Sequence, residues 1–352
     1  MKTALIYGVT GQDGSYLSEY LLEKKYKVVG VKRRSSSINT MRVSHIIKNY
    51  SEEDFNLLHG DITDTSSVYN IVSKVQPDEI YNLAAQSHVG VSFNEPEYTS
   101  QVDAVGTLRL IEAAKSIVPN SKYYQASTSE LYGGLSGNLL NEESMLNPRS
   151  PYAAAKLYAY YIVKQYREGY GMKSYNGILF NHESPRRGEN FVSRKITLSL
   201  NQIVNQEIES IELGNLDSIR DWGHAKDYVR GMHMMLQSAA PDDYVVATGQ
   251  CYSVRDFCIK AFDAIGCDIE FTGEGLNEVA KVIAHKDSII ECKKPKIGQS
   301  VIKVNKKFFR PLDVPHLQGD SSKFRKATGW APQISFDELV FDMVQSDLVE
   351  KS

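Results

Sequence analysis

The chain has 352 residues, 40 basic and 43 acidic side chains and a net charge of −3, enough length for one large domain or a large one with a smaller partner, and no global basic field of the kind that draws a protein to nucleic acid or an anionic membrane. The apolar opening Ala4-Leu5-Ile6-Tyr7 is too short for the core of a signal peptide, and no later stretch reaches the roughly 18 apolar residues of a membrane span. Cys251, Cys258, Cys267 and Cys292 lack the paired spacing of a zinc site, so the expectation is a soluble, cytoplasmic enzyme with reduced cysteines and no metal.

Apolar runs and amphipathic stretches alternate through the first half. Residues 3–7 read as a buried strand, 13–24 as a helix, 27–31 and 55–58 as strands, 65–75 as a helix and 79–83 as a strand. A long helical pattern covers 97–117, a strand follows at 122–126, and a helix carries its apolar face from Tyr152 through Ile162 before a further strand, Ser174 to Phe180. Strands alternating with crossover helices predict an α/β fold, a Rossmann-type doubly wound parallel sheet. The polar segment from Gly133 to Arg149 reads as a loop. Beyond about Glu183 the alternation breaks down, with isolated strands such as Asp243 to Val246, and Lys293–Lys307 reads as a basic, solvated loop. Residues 1–182 are thus expected to form a dinucleotide-binding domain. Residues 183–352 should form a smaller, mixed substrate-binding region, some segments of which return to the first domain.

The strand at 3–7 runs into Gly8-Val9-Thr10-Gly11-Gln12-Asp13-Gly14 and then into a helix. Glycines there permit a tight turn, let the backbone approach a pyrophosphate and let the helix pack closely, while the helix N-terminus favours an anion. Three glycines can also merely shape a turn, and it is the strand–turn–helix setting that favours the cofactor reading. About twenty residues on, where an NAD enzyme places a carboxylate, this chain has Lys32-Arg33-Arg34. Guanidinium groups suit a 2′-phosphate, so NADP is favoured, although Arg33 and Arg34 would also serve as solvated surface charges. Asp61 and Ile62, after the strand at 55–58, are placed to meet an adenine, and Leu83, Ala84 and Ala85 are small enough for a dinucleotide to lie across the sheet edge.

Tyr152 and Lys156 stand four apart, hence on one helix face. A tyrosine with an ordinary pKa near 10 is a poor base at neutral pH, but an ammonium and a cationic ring favour its phenolate, which can then take a hydroxyl proton. Ser127-Thr128-Ser129-Glu130 sits at the C-terminal end of the strand at 122–126, the edge where open α/β sheets bind ligands. A plain oxidoreductase needs no carboxylate there. Eliminating water beside a new ketone does, which makes Glu130 informative; strand-end capping with a surface Glu130 is the simpler alternative.

These segments, with Pro148-Arg149-Ser150-Pro151-Tyr152, Phe180-Asn181-His182-Glu183-Ser184-Pro185-Arg186-Arg187-Gly188 and Arg220-Asp221-Trp222-Gly223-His224, resemble the extended short-chain dehydrogenase/reductase family, and within it the branch that dehydrates GDP-linked mannose. The resemblance spans nearly the whole chain. It implies oxidation at C4 by NADP with Tyr152, Lys156 and Thr128, elimination of water across C5 and C6 by Glu130, and return of the hydride to C6. It also implies cofactor contacts from Gly8, Gly11, Gln12, Asp13, Gly14, Arg33, Arg34, Asp61, Ile62, Leu83, Ala85, His182 and Arg187. Ser87, Asn181, Lys195, Arg220 and Arg310 would contact the GDP-sugar, with Arg220 alternatively paired to Asp217 or Asp221. The segment from Arg34 to Arg42 would reach a neighbouring subunit in a homodimer or homotetramer. Gln86 and the Gly133–Leu146 loop fit the family pattern less well and leave a GDP-manno-heptose open as substrate. An epimerase working on a nucleotide sugar and a non-catalytic NADP-binding sensor are the remaining alternatives.

Overall fold

The computed structural model describes residues 1–134, 139–309, 312 and 314–349. Seven strands form one parallel sheet: β1 (Thr3–Tyr7), β2 (Lys27–Lys32), β3 (Phe55–His59), β4 (Glu79–Asn82), β5 (Lys122–Thr128), β6 (Ser174–Leu179) and β7 (Asp243–Val246), in the order β7-β6-β5-β4-β1-β2-β3. The strands are apolar on both faces because helices cover both, as a parallel sheet requires. On one face lie α1 (Gln12–Glu23) and, from the second half of the chain, Ala225–Leu236. Leu17, Leu21, Tyr228 and Met232 meet the sheet there. On the other face lie α2 (Thr65–Val75), α3 (Gly106–Ile117) and α4 (Pro151–Tyr170), burying Val68, Val72, Leu110 and Val163.

Strand order reverses between β1 and β4, opening a crevice at the carboxyl edge. Above that crevice, a four-stranded sheet of Cys267–Thr272, Val279–His285, Ser300–Val304 and Ile211–Leu213 packs with helices Val192–Val204, Val254–Ala264 and Phe336–Val349 around a separate core that includes Phe257, Phe262, Leu339 and Met343. Two short parallel strands, Asn181–Glu183 and Trp222–His224, join this layer to the end of β6. No helix among the described residues is long and apolar enough to cross a membrane.

Three expectations change. Asp243–Val246 is not isolated but pairs with β6 as the seventh strand of the main sheet; a four-residue strand whose partner lies far away in sequence carries no local sign of it. Lys293–Lys307 contains a strand, Ser300–Val304, with Val301 and Ile302 fully buried. The pattern at 97–117 is not one α-helix: Pro96–Ser100 and α3 are joined through a π-helical turn, Gln101–Val105.

Candidate active site

A cleft of about 1020 Å³ follows the carboxyl edge of the sheet beneath the second layer. β1 ends at Tyr7 and the chain turns at Gly8 with φ of 83°. A Cβ on Gly8 would lie 2.7 Å from the Leu83 carbonyl carbon, and one on Gly14 would lie 2.3 Å from the Gly8 oxygen, so the turn has room only for bare backbone. The Gly11 N–H closes it on the Gly8 carbonyl at 3.0 Å. Gly11 caps α1 without a side chain, and Gly11, Gln12, Asp13 and Gly14 all line the cleft. Unsatisfied first-turn N–H groups and the helix dipole therefore meet the space where an anion would sit. This cradle fits the pyrophosphate of a dinucleotide.

Two of these residues have a further task. His182, buried at the end of β6, points Nδ1 at the Phe180 carbonyl (2.8 Å) and Nε2 at the Asp13 carboxylate (2.8 Å), while Gln12 donates to the His182 carbonyl at 3.1 Å. Both ring nitrogens face acceptors, an arrangement that suits the imidazolium. Burial opposes that charge, but Asp13 outweighs it and raises the His182 pKa; the Asp13 carboxyl, also penalised by burial, is held below its usual range by His182. With Tyr228 stacked on its ring at 4.4 Å, His182 lines the cleft as a brace between the glycine turn and β6.

Toward the far end of the sheet, Asp61 and Ile62 line the cleft. One Asp61 oxygen is fixed by the Thr63 N–H (2.9 Å) and hydroxyl (2.7 Å). Arg33 lies at the rim, its guanidinium donating to the Tyr98 hydroxyl. Arg34 is exposed and outside the cleft wall, so the expected pair of arginines resolves into one, since successive side chains at a strand end diverge. Arg42 lines the cleft instead, with Nε donating to the Arg186 carbonyl at 2.7 Å. Leu83 and Ala85 form the floor.

The reactive end is set by helix-start chemistry. Ser150 caps α4 by accepting the Ala153 N–H at 3.0 Å and Pro151 occupies the first turn, which fixes Tyr152 at the helix mouth and Lys156 one turn inward. Tyr152 lines the cleft; the Lys156 ammonium sits 5.8 Å from its ring centre and donates to the Ala126 carbonyl at 3.0 Å, tying α4 to β5. Thr128 ends β5 and accepts the Glu130 N–H at 3.2 Å, so Thr128, Glu130 and Tyr152 share one wall. Burial, then the carboxylate of Asp103, raise the Tyr152 pKa, and the Thr128 hydroxyl opposes them; burial lowers that of Lys156. Ser127 also lines this wall, its buried hydroxyl without a partner among the described residues, as in a site shaped for a polar ligand.

At the mouth under the second layer, Ser87, Asn181 and Arg220 line the cleft, and Arg187 lies over the Phe191 ring at 3.7 Å while pairing with Glu183. Asp217 pairs with Arg255, and Asp221 accepts from the N–H groups of Thr248 and Gly249. Lys195 stands outside the wall: its ammonium donates to the Glu212 carbonyl and covers the ring of Phe308, which does line the cleft. Arg310 lies outside the described residues, as do residues 135–138 of the Gly133–Leu146 loop. Trp222, Val254 and Phe308 complete the wall without any sign in the sequence, because nothing local marks apolar side chains that converge from distant segments. Among the described residues no cluster of three or more His, Cys, Asp or Glu side chains could hold a metal ion.

The chain matches the family model described as GDP-mannose 4,6 dehydratase over residues 5–343. It is 52% identical to the GDP-mannose 4,6-dehydratase of Yersinia enterocolitica, over 99% of this chain and 94% of that protein. It is 51% identical to the GDP-mannose 4,6 dehydratase of Homo sapiens, over 99% of this chain and 91% of that one. A dTDP-glucose 4,6-dehydratase from Streptomyces venezuelae, solved with NAD, superimposes with a TM-score of 0.78 at 20% identity, over 98% of this chain and 96% of that one. RMD from Pseudomonas aeruginosa, complexed with NADPH, does so at 0.74 and 19% identity over 99% of each chain. These two share the fold.

Proposed function

The chain belongs to the GDP-mannose 4,6-dehydratase family, and we propose that its cleft converts GDP-mannose to GDP-4-keto-6-deoxymannose with Thr128, Glu130, Tyr152 and Lys156 as the working groups and NADP as the resident cofactor. The observation that carries this reading is that Thr128, Glu130 and Tyr152 line the same cleft as the glycine cradle. A bound nicotinamide supplies the acceptor for the hydrogen that leaves C4 and the donor that returns it to C6.

The protein's own groups handle protons and position. Tyr152 takes the proton of the C4 hydroxyl, with the Thr128 hydroxyl holding both in line; a phenol whose pKa burial has raised needs the positive charges of Lys156 and the cofactor to act as a base. The new ketone at C4 acidifies C5. Glu130 takes the C5 proton, and the C6 hydroxyl leaves as water with a proton delivered to it from the same carboxyl; as hydrogen returns to C6, C5 takes up the proton that Tyr152 removed from the C4 hydroxyl, so that one water is the net loss. An epimerase has no use for a carboxylate at this point, and Glu130 is what separates the two chemistries. Arg220, Asn181 and Ser87 hold the nucleotide diphosphate at the mouth; guanidinium suits diphosphate oxygens.

Incubation with GDP-mannose, and with GDP-manno-heptose in parallel, followed by mass spectrometry tests the reading. A GDP-mannose product lighter by one water supports it, whereas an isomer of unchanged mass contradicts it.

Arg33 supports NADP over NAD. Arg33→Ala should weaken NADP binding roughly 10- to 100-fold, the worth of one charge-assisted contact, and leave NAD nearly unchanged. Titration calorimetry with both dinucleotides checks this, and an equal loss for the two would remove Arg33 from the 2′-phosphate. A homodimer or homotetramer is part of the same reading, supported by the exposed apolar side chains of Ile38 and Met41 in the loop after β2.

A further inference from the structure

Behind the dyad lies an ionisable side chain that the chemistry above does not use. Asp103 sits in the π-helical turn Gln101–Val105, which packs against α4. Such turns carry one residue more than an α-helical turn, displace their side chains and recur at functional sites. Asp103 is 1% exposed. Its Oδ1 accepts the Gln86 N–H at 2.8 Å, and its Oδ2 has no hydrogen-bond partner among the described residues. Gln86 is itself held in the cleft wall, its side chain donating to the His88 carbonyl (3.2 Å) and accepting the His88 N–H (2.8 Å).

A buried carboxylate with an open oxygen is costly unless a cation answers it. Lys156, on the helix packed against the turn, is the charged group that acts on Asp103. Its ammonium has three donors, and the Ala126 carbonyl takes one of them. Tyr152 is the other titratable group of α4 that feels Asp103, while Glu130 and Arg187 act on Tyr152 from the cleft side. On the helical segments flanking the turn the near polar groups are the neutral hydroxyls of Thr99 and Thr107, which donate to the Glu95 and Asp103 carbonyls.

We infer that Asp103 is a positioning residue of the dyad, a counter-ion behind the cleft floor that balances the Lys156 ammonium and sets the pH range in which Tyr152 works. The inference rests on the roles given above to Tyr152 and Lys156. A negative charge at Asp103 favours the proton on both partners. It supports ammonium at Lys156 against burial, and it makes Tyr152 harder to ionise. Burial pushes the carboxyl of Asp103 up to about 7, so its charge changes within the working range and the effect is strongest above neutrality.

Asp103→Asn keeps an oxygen for the Gln86 N–H and removes the charge. On the proposed roles, turnover of GDP-mannose should rise with pH as Tyr152 ionises beside the bound cofactor and fall as Lys156 loses its proton. Without the charge at Asp103 both limbs should move to lower pH by on the order of one unit, with KM close to that of the unaltered enzyme. Asp103→Glu should bring the limbs back, and Asp103→Ser, smaller and uncharged, should displace them as Asp103→Asn does. A profile lowered equally at every pH, or superimposable on that of the unaltered enzyme, would overturn the inference. Failure of the underlying reading is separately visible, because the unaltered enzyme would then form no dehydrated product from GDP-mannose.

Discussion

Turnover of GDP-mannose by Tyr152→Phe should fall roughly 10²- to 10⁴-fold, the range in which one positioned acid–base group contributes, while NADP binds almost as before. The ring is buried at the mouth of α4, and its shape is kept by phenylalanine, so the helix start set by Ser150 and Pro151 is undisturbed. What is lost is the oxygen proposed to take the C4 proton, and no other hydroxyl on that wall substitutes for it: a serine or threonine is a far weaker acid than a phenol, so Ser127 and Thr128 hold no anion to receive a proton. Steady-state kinetics with GDP-mannose and a dinucleotide titration separate the two effects. Turnover close to that of the unaltered enzyme would remove Tyr152 from its role.

Glu130→Gln should stop the reaction halfway. On the proposed roles, oxidation at C4 uses Tyr152, Thr128 and Lys156, all of which remain, whereas abstraction at C5 and departure of the C6 hydroxyl need a carboxyl. Glutamine keeps the main-chain bond to Thr128 (3.2 Å) and the volume, but it neither accepts nor delivers a proton at neutral pH. The expected result is loss of the dehydrated product by roughly 10²-fold or more, with a 4-keto sugar still bearing its C6 hydroxyl found on the enzyme after rapid quenching. Dehydrated product at the normal rate would assign the elimination to another group.

How much of this was readable in the chain follows from how local each signal is. The glycine turn is a run of seven residues between a strand and a helix, and the backbone closeness it demands is visible in its composition: the clash that a Cβ on Gly14 would make with the Gly8 carbonyl is the reason the glycine is there. The pair Tyr152 and Lys156 is legible for the same reason, since a spacing of four places them on one helix face without knowledge of the rest of the fold. All seven sheet strands are visible in the sequence as short apolar runs, but the place of one of them in the sheet is not. β7 reads as an isolated strand, because its pairing is with β6, on the far side of two helices in sequence.

Other placements are silent in the sequence for a different reason. Arg33 and Arg34 are indistinguishable by type and both exposed, and only the direction of the backbone leaving β2 brings one to the rim of the cleft and leaves the other outside it. The π-helical turn is silent because one extra residue in a helix of about twenty barely disturbs its apolar spacing, yet that residue decides where Asp103 lies relative to Lys156. His182, a cofactor contact by resemblance, lines the cleft wall with both ring nitrogens engaged by Phe180 and Asp13.

An internal transfer of hydrogen within one sugar is the step on which every role above depends, and an isotope follows it directly. GDP-mannose carrying deuterium at C4 should yield a product lighter by one water, with the deuterium at C6 of the same molecule and no net consumption of the dinucleotide. Deuterium lost to solvent, or still at C4 in a product that has kept all its oxygen, would contradict it.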